Sequence, residues 1–486
     1  MQIAIHGKQL SAGQFFRKTV CYIPRHAAAA VRKQLQYAAK QREQRALLAL
    51  MRSEGKGTAR TEKLMRRRLA ALLREAAAQV PYYRQFPFLA AADTDNCIEL
   101  LKKLPVTDKA FVREHEDSLR NAVLYHDAYP TWGHTGATTG KPLSFPTSYV
   151  AEDTHQRALY QYMTGMDFTD IVRHPFGIVT FCGTRPLLNG SEDEALKAHI
   201  YWKSEPADAF YGTLDFCSFY ESDDCLPYYV RKLNEIQPLV IRGYSNAILS
   251  LARFAAASGT LAFRPKAVYV TSEYCPLSAM QEISRGLDCP VFGQYGQVEG
   301  SFFGWTAPNS DVYYLSPFYG YAEVLDDQGN PVEEGETGHL VVTGFGNRVQ
   351  PWIRYDSGDM VQYGGREGGV LCLSGLKGRG KDFIYDADMQ RIPLVGFMDI
   401  HYLKCHPHIR QYQIQQDEPG AVLFRLVKTS SWTQEDEDEI HSAFARKHLR
   451  VSFAYVDSIP LTTGGKVLLT VQHIKAAQAD DAACCD

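Results

Sequence analysis

The segment His134-Thr-Gly-Ala-Thr-Thr-Gly-Lys-Pro142 packs three threonine hydroxyls, two glycines and a lysine into nine residues. Backbone N–H groups and hydroxyls at that density can surround phosphate oxygens, with Lys141 adding positive charge. It is not a Walker A loop, which has four residues between its glycines and a Ser or Thr after the lysine; here Pro142 follows. On its own the stretch reads equally well as a flexible surface loop, so its surroundings decide.

Downstream of it, short apolar runs alternate with helical segments: Gly177–Cys182, Leu239–Arg242, Ala267–Thr271 and Pro290–Phe292. That alternation predicts an α/β architecture of layered sheets and helices. Around 311–345 the pattern changes to hairpins, with Asp-Asp-Gln-Gly-Asn as a turn between Tyr321–Leu325 and His339–Val342. Upstream, residues 25–85 are rich in Ala, Leu, Arg, Gln and Glu and have no proline before Pro81, which predicts helix. A shorter helical stretch spans about 95–125, punctuated by a turn at Leu104–Asp108. A boundary is expected near Gly378–Lys381, dividing a large domain (1–377) from a small α+β domain (378–486).

Four further segments follow the Thr-rich loop: Gly293-Gln-Tyr-Gly-Gln-Val-Glu299, Arg354-Tyr-Asp-Ser-Gly-Asp359, Gly378-Arg-Gly-Lys-Asp-Phe-Ile384 and Pro460-Leu-Thr-Thr-Gly-Gly-Lys466. In this order and spacing the five resemble the core motifs of the adenylate-forming superfamily, which comprises acyl-CoA synthetases, peptide-synthetase adenylation domains and luciferases. The closer resemblance is to its phenylacetate–CoA ligase branch, including capsule-cluster and coenzyme F390 synthetase-like members. That branch shares Val80-Pro-Tyr-Tyr-Arg84, Leu104-Pro-Val-Thr-Asp-Lys109 and Ile353-Arg-Tyr355. The likeness runs over roughly residues 65–475, and it implies a large multi-sheet α/β domain capped by a small mobile α+β domain.

The resemblance implies a role for each matching residue. Thr135, Gly136, Thr138, Thr139, Gly140 and Lys141 would hold the β- and γ-phosphates of ATP. Tyr295, flanked by Gln294 and Gly296, would lie on the adenine, with Ser272, Glu273 and Tyr274 as the opposite wall. Glu299 would hold Mg²⁺, a hard cation that takes oxygen ligands. Asp359 would accept hydrogen bonds from the ribose hydroxyls, a task for a two-oxygen acceptor. Arg379 would contact ribose or phosphate, Lys381 would be the hinge between domains, and Lys466 the catalytic lysine. A cation at that point offsets repulsion between carboxylate and α-phosphate and stabilises charge growing on phosphorus. The acid pocket is expected near Arg242-Gly-Tyr-Ser245, with Tyr244, Ser245 and Gln294 as lining. Taken singly, Tyr295 reads as a core tyrosine and Lys466 as a surface lysine; the motif context favours the site.

Two positions depart from the pattern. Ala137 stands where the superfamily has Gly, with Gly136 where Ser or Thr is common, and its methyl restricts positive φ. Val298 replaces the Thr or Ser that precedes the glutamate, removing a hydrogen bond to a charged group worth roughly 1.5–3 kcal/mol.

The remaining features exclude more than they assign. A net charge of −3, with 45% apolar and 22% charged residues, is that of an ordinary globular protein. Thirteen Lys/Arg face four Asp/Glu between Arg32 and Glu75, which reads as the solvated face of long helices or a docking face for an acidic partner. No basic–aromatic interleaving suggests nucleic acid, no Gly-x-Ser-x-Gly elbow suggests a hydrolase, and no apolar run is long enough to span a bilayer. Cys405-His-Pro-His408 lacks a second ligand cluster, so no zinc site is expected. Eleven cysteines without a CxxC pair, and an opening without an apolar leader, suggest a cytoplasmic protein with reduced thiols.

These observations predict an ATP- and Mg²⁺-dependent, AMP-forming ligase. It would activate a small carboxylic acid, aromatic by analogy with the branch, and pass the acyl group to a thiol, with CoA as co-substrate. Two alternatives stand beside it. One keeps the adenylate but uses an amine, a carrier-protein thiol or another small nucleophile, as in natural-product or capsule biosynthesis. The other, motivated by Ala137 and Val298, is a catalytically impaired nucleotide-binding protein. A homodimer stays open.

Overall fold

The computed structural model describes residues 2–5, 8–11, 39–127, 131–134, 143–147, 152–203, 213–220, 224–379, 383–389, 391–393, 403–405, 408–445, 449–460, 468 and 470–474. Within the region expected to be helical, the described residues form two helices, residues 39–52 and Ala59–Gln79. Between them Glu54 and Gly55 both take positive φ. The break makes room for the tip of a long hairpin. A Cβ on Gly57 would sit 2.3 Å from the Glu367 carbonyl, and the Thr61 hydroxyl donates to Gly368 O at 2.7 Å. Thr58 then caps the second helix through a reciprocal Thr58–Thr61 box.

A twelve-stranded sheet organises the chain. Its parallel half runs Thr213–Cys217, Ile178–Cys182, Val240–Gly243, Ala267–Val270, Val291–Gly296, with the short Trp202–Lys203 strand antiparallel at the edge. Val291–Gly296 is the junction. Residues 291–293 pair parallel with Val268–Val270, and residues 294–296 pair antiparallel with Phe303–Trp305. The antiparallel half continues through Phe303–Thr306, Tyr313–Leu315, Val370–Arg379, Tyr355–Glu367, Thr337–Gly344 and Gly320–Leu325. The turn anticipated between its outer strands is present: the Asp326 carboxylate accepts from Gln328 N and Asn330 N, and Gly329 has φ +82°.

Helices Leu226–Ile236, Ser245–Ser258 and Leu277–Leu287 bury Leu233, Ile248, Leu251, Met280 and Ile283 against one face of the parallel half. Helix Glu152–Thr164 covers the other, where Leu159 and Tyr160 meet Ile178, Val240, Tyr269 and Phe292. The Ala59–Gln79 helix packs Leu69 and Leu73 into the core of the antiparallel half.

The large sheet's last strand ends at Arg379. A second, four-stranded sheet then orders Arg450–Tyr455, Ala421–Lys428, Ile409–Glu418 and Thr470–Gln472. Helix Gln434–Ala445 seals it through Ile440 and Phe444 against Phe424. Arg253 joins the two units. It clamps Glu282 through two bonds of 2.8 and 3.0 Å and donates to Ile409 O at 3.2 Å.

Among the described residues no helix is long and apolar enough to cross a membrane.

Candidate active site

In an open sheet with parallel strands, ligands collect at the carboxyl ends of those strands. Here those ends carry Tyr244 and Ser245, then Thr271 to Tyr274, then Gln294 and Tyr295. Seven of the expected site residues therefore meet on one rim.

Tyr295 lies at the junction of the two half-sheets. Its ring is partly buried between Phe302, 4.7 Å away, and Tyr313, 5.8 Å away, and its hydroxyl donates to Asp359 Oδ2 at 2.7 Å. Asp359 lies on the next hairpin, in register with Arg379. The expected ring-and-carboxylate pair is thus already assembled. Gln297, which the motifs did not single out, belongs to the same cluster: Nε2 donates to Ser357 O at 3.1 Å and reaches Asp359 Oδ2 at 3.4 Å.

Glu299 follows in the short connection between Val291–Gly296 and Phe303–Thr306. Gly300 N bonds back to Gln297 O, and φ +67° at Gly300 tightens the turn. Glu299 is 7% exposed, and its charge acts on Tyr355, the first residue of the strand that carries Asp359. Burial first, and then the Glu299 charge, push the Tyr355 phenol well above its ordinary range. Val298 is 47% exposed beside it, a large apolar side chain facing outward within the cluster.

Of the opposite wall, Glu273 caps the Ser245–Ser258 helix: its Oε2 accepts from Asn246 N at 3.4 Å, from Asn246 Nδ2 at 3.3 Å and from the Ser245 hydroxyl at 3.5 Å. Ser245 also donates to Tyr274 O at 3.2 Å. Ser272 holds φ +69°, turning the chain between strand end and wall. Burial raises the Tyr244 phenol's pKa. Gln294 accepts from the Thr271 hydroxyl at 2.7 Å and from the Tyr269 hydroxyl at 3.3 Å.

Thr135, Gly136, Ala137, Thr138, Thr139, Gly140, Lys141, Lys381 and Lys466 lie outside the described residues, as does the side chain of Arg379. The base of the Thr-rich loop is described. Thr131–His134 pairs antiparallel with Ser144–Thr147, and His134 Nδ1 lies 2.9 Å from the Ser144 hydroxyl. Buried Asn347 bonds Pro146 O at 2.9 Å, and Phe145 meets Trp352 edge-on at 5.1 Å. The strand pair is thereby fixed to the segment that leads into Tyr355 and Asp359.

Two of the family-like stretches without an assigned role prove to be one joint. Arg354 N–H groups bind Glu323 twice at 3.1 Å and reach Lys102 O and Leu104 O at 3.0 and 2.6 Å. Thr107 N donates to Arg354 O, and Asp356 N donates to Thr107 O. The Arg354 guanidinium thus ties the Leu104–Lys109 stretch to the Ile353–Tyr355 stretch. In the small unit, His408 Nδ1 lies 2.9 Å from Asp436, and Glu439 accepts from Cys405 N at 2.9 Å.

No protein-family model matches the chain. Over 355 residues it is 23% identical to Protein CapK of Staphylococcus aureus, spanning 70% of this chain and 74% of that protein. Two solved structures of 2-hydroxyisobutyryl-CoA ligase in the postadenylation state align over 87% of this chain and 91% of theirs. The complex with 2-HIB-AMP gives a TM-score of 0.61 at 17% identity, and the complex with R3-HIB-AMP gives 0.60 at 16%. The chain has the adenylate-forming ligase fold. Within that fold, the Tyr295–Asp359–Glu299 cluster lies at the junction of the half-sheets, and the Gln294–Thr271–Tyr269 network lies beside it on the parallel half.

Proposed function

We propose that the protein is an AMP-forming ligase that activates a small carboxylic acid as its acyl-adenylate with ATP and then transfers the acyl group to a thiol, that of CoA. The observation that carries this reading is the pairing of Tyr295 with Asp359 beside buried Glu299, on a fold shared with a CoA ligase.

The residues present suit a bound nucleotide. Tyr295 offers a flat face braced by Phe302 and Tyr313, and Asp359 offers a carboxylate held in place from one side by that tyrosine. Among the described residues no three His, Cys, Asp or Glu side chains gather as a metal-holding group. A Mg²⁺ at Glu299 would therefore take its other ligands from phosphate oxygens and water, as this ion commonly does, and would neutralise charge on the pyrophosphate. The chain's own part is positioning. Asp359 and Tyr295 would fix the nucleoside, the loop 135–142 would surround the β- and γ-phosphates, and Lys466 would stand between carboxylate and α-phosphate. The acid's oxygen then attacks phosphorus, pyrophosphate leaves, and a thiolate sulfur later attacks the acyl carbon with AMP departing.

ATP–pyrophosphate exchange across a carboxylic-acid panel tests the reading. Acid-dependent exchange is expected, reduced on the order of 100-fold or more in Lys466→Ala. Exchange that Lys466→Ala leaves intact would remove the mechanism, and CoA-independent release of AMP to an amine would move the acceptor away from a thiol.

A further inference from the structure

Resting on the ligase reading above, we infer that Arg242 is the specificity determinant of the acid pocket, and that the acid is short and carries a second, distal anionic group. This replaces the aromatic acid that family analogy suggests.

Parallel strands buried on both faces ordinarily read as continuous apolar runs. On the face covered by helix Glu152–Thr164 these do not. Register places Asp215, Thr180, Arg242, Tyr269 and Phe292 in one row across five strands. Two residues further along, Thr271 and Gln294 continue the polar character toward the rim. The helix answers in kind: Tyr160 and Gln156 reach down to Arg242 and Tyr269. Together they form a polar row that runs from Gln294 through Tyr269 to the Arg242 guanidinium.

Arg242 donates from Nε to the Thr180 hydroxyl and from Nη1 to the Tyr160 hydroxyl, both at 2.9 Å. Both partners are neutral oxygens. Among the described residues no carboxylate stands within ion-pair distance of it. The Tyr160 phenol is the strongest influence holding it charged, and Asp215, its neighbour but one in the row, acts more weakly than Tyr160 or Tyr269. Arg242 is partly buried, and a partly desolvated cation with no counter-anion among the described residues is costly, a cost an arginine cannot escape by losing its proton. Thr180 and Tyr160 orient the fork, so an incoming carboxylate would meet a preset planar donor.

The anion is not expected to be the nucleotide. Arg242 precedes the end of its strand and lies on the parallel half, whereas Tyr295 and Asp359 lie at the junction and on the antiparallel half. The reacting carboxylate belongs with the nucleotide, so the group that meets Arg242 is at the other end of the acid. A benzoate-like ring would leave the charge uncompensated.

The test is ATP–pyrophosphate exchange by the full chain with propanoate, butanoate and benzoate beside malonate, succinate and glutarate. At least one diacid is expected to exceed its matched monoacid in kcat/KM on the order of 100-fold. Arg242→Met is expected to lower kcat/KM for that diacid about 100-fold and so to lose the preference, and Arg242→Lys to recover part of it. Monoacids turned over faster than diacids by the wild-type chain would overturn the proposal without any variant. So would a diacid preference unchanged in a folded Arg242→Met. Absence of exchange with all six acids, together with no upward shift of the thermal midpoint by any diacid, overturns it as well. If ATP also fails to raise the midpoint, the ligase reading falls with it; if ATP does raise it, only the choice of acid falls.

Discussion

Two arginines on the same sheet, Arg354 buried and Arg242 partly buried, are treated in opposite ways. Arg354, in the antiparallel half, is neutralised by a two-bond pair with Glu323 and has two carbonyls besides. Among the described residues Arg242, in the parallel half, donates its side-chain hydrogen bonds to hydroxyls. A paired buried charge is a structural joint, because its electrostatic cost is met within the fold. An unpaired one is a demand that something outside the fold must satisfy. On the proposed reading, the difference separates a half-sheet that would hold loops around the nucleotide from a half-sheet that would receive the acid.

The strongest way to break this contrast is to remove each charge and measure folding. Arg354→Met would strand the Glu323 carboxylate in the interior and is expected to cost about 3–5 kcal/mol, read as a lower denaturant midpoint. Arg242→Met strands no carboxylate and relieves a desolvated charge, so its stability should stay within about 1 kcal/mol of wild type. Equal losses in the two variants would mean that Arg242 is a structural residue, and the contrast would be gone.

Asp359→Asn sharpens the nucleotide side. It keeps the shape but removes the charge that would hold the ribose hydroxyls. Hydrogen bonds to charged groups are worth about 1.5–3 kcal/mol, so the KM for ATP should rise by roughly 10- to 100-fold with the acid's KM little changed. A rise confined to the acid would place Asp359 in the wrong half of the site.

The same contrast explains how much the sequence disclosed. Four of the five parallel strands were legible from short apolar runs and lie within a few residues of their expected bounds, whereas Thr213–Cys217 was not anticipated. The expected site residues legible from motifs lie in two short stretches: Gln294, Tyr295, Gly296 and Glu299 in one, and Asp359 in the other. Gln297, Tyr160, Thr180 and Tyr269 were missed because their roles come from register and from a helix over a hundred residues away. A signal did exist, in the polar residue at alternate positions of strands that should be apolar on both faces. The helix break at 53–58 was missed for a similar reason: its cause is the hairpin tip at Glu367–Gly369, far along the chain.

Val298→Thr would restore a hydroxyl at an exposed position, so the fold should accept it without loss. If the missing hydrogen bond to the AMP phosphate limits adenylation, exchange should rise by about tenfold, the lower end of what a bond to a charged group contributes. An unchanged rate with unchanged stability would indicate that another residue already serves that phosphate, and Ala137 and Val298 would cease to argue for impairment.

The smallest effect is expected where the two halves meet. Tyr295→Phe keeps the aromatic face and its contacts with Phe302 and Tyr313, and removes only the hydroxyl that donates to Asp359. If the ring's work is to offer a surface to the base, the change costs one hydrogen bond, about 1 kcal/mol, or roughly a fivefold rise in the KM for ATP. Tyr295→Ala would then be far worse, since stacking area is lost together with the brace on Asp359. Equal effects from Phe and Ala would reverse the order of importance. The hydroxyl, through the orientation of Asp359, would then be the part that matters, and Tyr295 would be a positioning residue instead of a wall of the adenine site.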